Sequence, residues 1–169
     1  MLAAICYAVR MPKAANPIPA GFHTITPALN VKGAAEYSDF LKRAFGAVEI
    51  ERSPGPGDKL MHVEMRIGDS VLIFADDFTA EFGMPPFAQG NYPFHFHIYV
   101  PDVDALWQKA VAAGCTVTMP LADQFWGDRY GHVQDPFGFN WALATRKEDL
   151  TREEREERQK KAFSGGGAS

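Results

Sequence analysis

Cysteine is nearly missing from this 169-residue chain, with Cys6 and Cys115 the only two. Two thiols are too few for a disulfide framework or a thiolate metal cluster, so they read as reduced and separate, which places the protein in the cytoplasm. A surplus of positive charge is lacking as well. With 17 Lys and Arg against 21 Asp and Glu the formal charge is -4, which offers no electrostatic grip on nucleic acid or an anionic membrane. The apolar run over residues 2–9 is too short to span a bilayer, and with no basic residue ahead of it, it does not read as a signal peptide. Two origins stay open for residues 1–10, an extra product of an upstream start codon or a frayed tail, because Met11 begins a Pro- and Ala-rich lead-in.

What is present is globular. A hydrophobic share of 46% with 22% charge lies in the ordinary range, and 12% aromatics with 15 Gly and 12 Pro suggest many strands and turns. A chain of this size buries roughly two thirds of its unfolded surface and needs no staples.

One helix alternates with several strands, twice. Residues 22–31 read as a strand and 33–45 as a helix with Ala35, Phe40, Leu41 and Ala44 near one face, closed by Gly46. Strands are predicted over 47–52, 59–67 and 70–75, with GPGD and GD as turns. After a Pro- and Phe-rich loop over 76–92 the order recurs: a strand over 93–100, a helix over 102–113, and strands near 116–120, 129–134 and 139–145. Val31 to Val100 is 69 residues, Gly46 to Gly114 is 68 and Gly68 to Gly138 is 70, which marks an internal duplication. Each module buries one sheet face under its helix and leaves the other to curl into a cup, and two cups must meet to shelter their inner faces. A charged helix over 151–163 follows, opened by a Thr151/Glu154 capping box. The expected domain map is a flexible lead over 1–21, one domain over 22–149 with modules at about 22–77 and 93–149, the helix over 150–163, and a disordered tail over 164–169.

The duplicated βαβββ pattern, with HVEMRIGDSVLIFADD in the first half and FHIYVPDVDALWQKAVAAGCTV followed by FWGDRYGHVQDPFGFNWAL in the second, resembles the vicinal oxygen chelate superfamily of glyoxalases, bleomycin-resistance proteins and dioxygenases. Within it the chain is most similar to the PhnB-like branch. The resemblance implies an α+β fold: two βαβββ modules forming a shared half-open barrel, plus a C-terminal helix, usually as a homodimer. It also implies four metal ligands, one from the first and last strand of each module. Those places fall here on Thr26, Leu72 or Ile73, His95 and Ala142, of which only His95 is a good ligand. The usual metal site is therefore expected to be largely lost, with a divalent metal retained only as an option in a rearranged site.

Period-two alternation puts His95, His97 and Tyr99 on one face of the fifth strand and Phe94, Phe96, Ile98 and Val100 on the other. The His face is expected to line the cup, with His62 and Glu64 of the third strand beside it or opposite, and His132 has the same option from the seventh strand. Trp126 and Arg129, in the glycine-bracketed run 125–131, are the other candidate ligand contacts, Arg129 for an anionic group. Such a lining suits a ligand partly aromatic and partly anionic. The loop over 78–92 is a candidate lid or a cover for a second subunit. Three functions follow: a small-molecule binding protein; a lyase, isomerase or dioxygenase with a displaced metal or with His95, His62 or Glu64 as a metal-free general base; and a partner-binding module.

Overall fold

A computed structural model describes residues 16–82 and 93–164. The expectations for Cys6, the start of the chain, most of the 78–92 loop and the end of the tail fall outside those residues. The element order is β1 (Ala28–Val31), α1 (Ala34–Phe45), β2 (Val48–Pro54), β3 (Leu60–Ile67), β4 (Ser70–Asp76), α2 (Thr79–Phe82), β5 (Phe96–Tyr99), α3 (Val103–Ala112), β6 (Thr116–Asp123), β7 (Asp128–Gln134), β8 (Asn140–Arg146) and α4 (Arg152–Ser164). Two four-stranded sheets result, ordered β1-β4-β3-β2 and β5-β8-β7-β6. In each, the first and last strands of the module run parallel and the remaining pairs antiparallel. Ala28 sits opposite Ile73 and His97 opposite Ala142, so each member of the second pair follows its counterpart by 69 residues and the duplication holds at the level of strand register.

Buried carboxylates hold the modules in shape. Asp76, at the end of β4, accepts from Gly33 N, Ala34 N and Leu60 N, at 2.9, 2.9 and 2.7 Å, and so ties the start of α1 to the start of β3. Gly33 has φ 82, and a Cβ there would lie 2.7 Å from Glu36 Oε2, so no other residue makes this entry into α1 without strain. α3 opens on Asp102, whose side chain accepts from Ala105 N in a helix cap.

The two modules share one core. Tyr37 of α1 meets Phe137 at 4.8 Å and Phe139 at 5.6 Å, and Phe45 meets Trp141 at 4.4 Å. Asp135 accepts from Phe137 N, Phe139 N and Trp141 Nε1, each at 2.9 Å, and from the Tyr37 hydroxyl at 3.4 Å, which pins α1 to the second module. In the first turn of α1 it is Ala34 that is buried, with Ala35 only half-buried, because the helix turns Tyr37 and Phe40 toward the second module.

No strand of one sheet pairs with a strand of the other among the described residues. The modules meet through α1, α3 and this core, and the second module's inner face stays open, with Tyr99 59% exposed. The first strand is shorter than the 22–31 expected. Pro27 lacks an N–H to donate, and at the observed register residues before Ile25 would run past Ser70, where β4 begins. Thr79–Phe82 forms a short helix inside the predicted loop, started by Asp77 Oδ1 accepting from Thr79 N. Phe78, expected at a lid, is buried on the first module, its ring against the place a side chain would take at Gly55 and 5.0 Å from Lys59 Nζ.

Candidate functional site

The inner face of the second sheet is assembled by register. His97, Ala142, His132 and Met119 lie in one row across β5, β8, β7 and β6, and Tyr99, Ala144, Tyr130 and Ala122 in the next. Ala142 and Ala144 are both 0% exposed, so the rings from β5 and β7 stand over a floor of methyl groups. His97 stacks on Tyr99 at 4.5 Å with 24° between planes, and lies 5.5 Å from the Tyr130 ring. His95, just ahead of β5, has its ring 5.1 Å from His132 and 6.4 Å from His97. The Tyr130 hydroxyl is in close hydrogen-bond contact with His132 Nε2.

At the far end of this stripe Asp128 is 6% exposed, and its Oδ2 accepts from the Tyr99 hydroxyl at 2.8 Å and from Trp126 Nε1 at 3.2 Å. Trp126 packs edge-on against Tyr130 at 5.4 Å and closes that end. The hydrogen bond to Asp128, with burial, raises the Tyr99 pKa and keeps the phenol protonated. Burial, then proximity of Asp128, does the same for Tyr130. Burial, then the neighbouring His95, lowers the His97 pKa. His132 is lowered by burial, then by His95 and His97. These two imidazoles are therefore neutral near pH 7.

Four of the residues named from sequence, His95, His97, Tyr99 and Trp126, are brought together on this face. Arg129 is not. It is a correction of parity: Asp128, Tyr130 and His132 alternate inward, so Arg129 between them points to the helix side. There it forms a two-pronged pair with Asp104 of α3, at 2.8 and 2.7 Å, and reaches Asp123 at 3.2 Å. His62 and Glu64 share the other sheet's inner face, joined at 2.9 Å from His62 Nε2 to Glu64 Oε1, and make no described hydrogen bond or ring contact with the second module's stripe. The sequence does not single out Tyr130, Asp128 or Ala144 as ligand contacts, although stepping back by two from His132 finds the first two. A groove of about 800 Å³ runs along the free edge of β5 toward Ile25 and the β3–β4 turn, and it touches the stripe only at His95, His97 and Tyr99.

Register also settles the fourth-strand place. Leu72 pairs with Met65 on the core side, and Ile73 pairs with Glu64 on the inner side. The four superfamily ligand places are then Thr26, Ile73, His95 and Ala142, and a donor set of one imidazole, one hydroxyl and two hydrocarbons does not fit a divalent metal. The Thr26 hydroxyl is itself spent on His23 O at 3.0 Å. Among the described residues no group of three or more His, Cys, Asp or Glu is placed to hold a metal ion.

The chain is 46% identical over 122 residues to an uncharacterised protein of Mycobacterium tuberculosis, covering 70% of this chain and 72% of that one. TioX from Micromonospora sp. ML1 is 25% identical with a TM-score of 0.56, over 72% of this chain and 98% of its own. The PhnB protein of Bacillus cereus, 16% identical with a TM-score of 0.58 over 73% and 99%, shares the fold. With a family model matching residues 21–143, the chain belongs to the Glyoxalase/Bleomycin resistance protein/Dioxygenase superfamily.

Proposed function

We propose that this protein binds a small molecule against the inner face of the second module, as a homodimer and without a metal at the superfamily position. The observation that carries the reading is the stripe of exposed His95, His97 and Tyr99 and half-buried Tyr130 and His132 over buried Ala142 and Ala144. Flat rings around a shallow apolar floor suit stacking against a planar ligand, and the protein has nothing else described on that face to cover them. The open inner faces also favour a second copy, since each module leaves one unsheltered. Within the superfamily we place the chain in the PhnB-like branch, and in the cell in the cytoplasm.

NMR of the protein titrated with a library of planar compounds tests this. Shifts at the side chains of His97, Tyr99, Tyr130 and His132 are expected. Compounds that perturb only the first module, or none that perturb either, would remove the reading. Sedimentation at micromolar concentration is expected to give a dimer, and a monomer would count against the paired arrangement. Turnover of a bound compound, abolished in His95→Ala, would instead make the protein an enzyme with His95 as general base.

A further inference from the structure

The charges around the stripe narrow what it accepts. Arg129 is held on the opposite side of the sheet by Asp104 and Asp123. Arg146, opposite Asp128 in the register, is 60% exposed at the rim and paired with Asp149 at 2.8 Å. Asp128 lies beneath Tyr99 and Trp126 and puts its negative charge at one end. Among the described residues the stripe thus has no free cation for a carboxylate and no open carboxylate for an ammonium group.

What it does have is unpartnered imidazole. Neither His95 nor His97 makes a hydrogen bond among the described residues, while both sit at the exposed surface. A neutral imidazole carries one N–H donor and one acceptor nitrogen. A hydroxyl group is the complement, since it donates and accepts at the same atom. A carboxylate only accepts and an ammonium only donates, so each leaves half of that capacity unused.

We propose that the stripe selects an uncharged, flat, hydroxylated aromatic ligand, bound by hydroxyl-to-imidazole hydrogen bonds over the Ala142–Ala144 floor. The inference rests on the ligand-binding reading above and replaces the anionic ligand that the sequence suggests. It makes binding depend on neutral imidazoles. The ionisable groups facing them are the other histidines of the trio, Tyr99 of β5, Tyr130 and Asp128 of β7, and Arg146 at the end of β8. The depressed pKa values of His97 and His132 keep these two rings neutral at pH 7.5, and acid puts positive charge on both.

Calorimetric titration of the full chain with 2-naphthol, 2-naphthoate and 2-naphthylmethylammonium at pH 7.5 and pH 5 tests this. At pH 7.5 the naphthol is expected to bind about five- to tenfold tighter than either ion, the scale of one or two net hydrogen bonds. At pH 5 the naphthol is expected to weaken and the naphthoate to strengthen. His97→Phe keeps a ring against Tyr99 and removes the nitrogens, so it is expected to weaken naphthol about fivefold and to narrow its preference over naphthoate at pH 7.5. Tighter naphthoate at pH 7.5, or naphthol binding indifferent to both pH and His97→Phe, would overturn the selectivity while leaving a ligand-binding protein. Failure of all three probes at both pH values would overturn the ligand-binding reading and this inference with it.

Discussion

Gly131 and Arg129 lie two apart on β7 and both point to the helix side, where they answer to different neighbours. A Cβ at Gly131 would lie 2.6 Å from Trp107 Cζ3 and 2.9 Å from Leu121 Cα, so the indole of α3 packs directly on bare backbone. The Leu121 contact is backbone of β6, so a shift of the indole alone does not make room. Gly131→Ala is expected to cost about 1–3 kcal/mol, the usual range for overpacking, read by urea denaturation. Arg129→Ala, by contrast, removes only exposed ion pairs and is expected to leave both the denaturation midpoint and the affinity for a planar ligand nearly unchanged. A large loss of affinity on that substitution would restore Arg129 to the site. The two positions show what was legible at this scale. The inward set His95, His97 and Tyr99 follows from alternation on one strand, whereas the chemistry of Arg129 points to the site and the same alternation, counted from His132 three residues on, turns it away. Residues three apart on a strand never share a face.

At the scale of elements the duplication made most of the fold readable, because turn glycines and apolar periods recur at a nearly constant offset. The exceptions have local causes: Pro27 cuts β1 short, and bulges between Val117 and Ala122 carry β6 past Pro120. What sequence did not reveal is the role of the DPFG segment. It places Asp135, 4% exposed, under the indole of Trp141 and the hydroxyl of Tyr37, and so joins residues 98 apart. Desolvation raises the Asp135 pKa against the pull of these donors. Asp135→Ala is expected to destabilise the fold by at least about 3 kcal/mol, since it strands an indole N–H and two backbone amides in the core. The loss should appear as a lower denaturation midpoint together with a changed near-ultraviolet signal from Trp141. An unchanged signal would mean that α1 docks on the second module through its rings alone.

Over the whole molecule the pH dependence of stability separates the candidate site from the scaffold. His97 and His132 have folded-state pKa values below the ordinary imidazole value of about 6.5. The unfolded chain therefore binds protons first as the solution is acidified, and the stability these two groups confer is fully present above about 6.5 and is lost as pH falls from there through their lower folded values. Glu49 behaves as a scaffold group in a different window. Arg52, then Lys42 and Ser38, hold its pKa at about 2, so its contribution is present above about 4.5 and disappears only as pH falls toward 2. Urea denaturation of the unliganded protein is thus expected to show one loss of stability that begins as pH falls below about 6.5 and a separate one below about 4.5. The variant carrying His97→Gln and His132→Gln keeps polar side chains of similar reach and removes the two imidazoles whose pKa values the fold lowers. It is expected to flatten the first loss and leave the second. If both losses persist in that variant, the acid sensitivity belongs to carboxylates elsewhere, and the histidine face is not the place where the molecule senses protons.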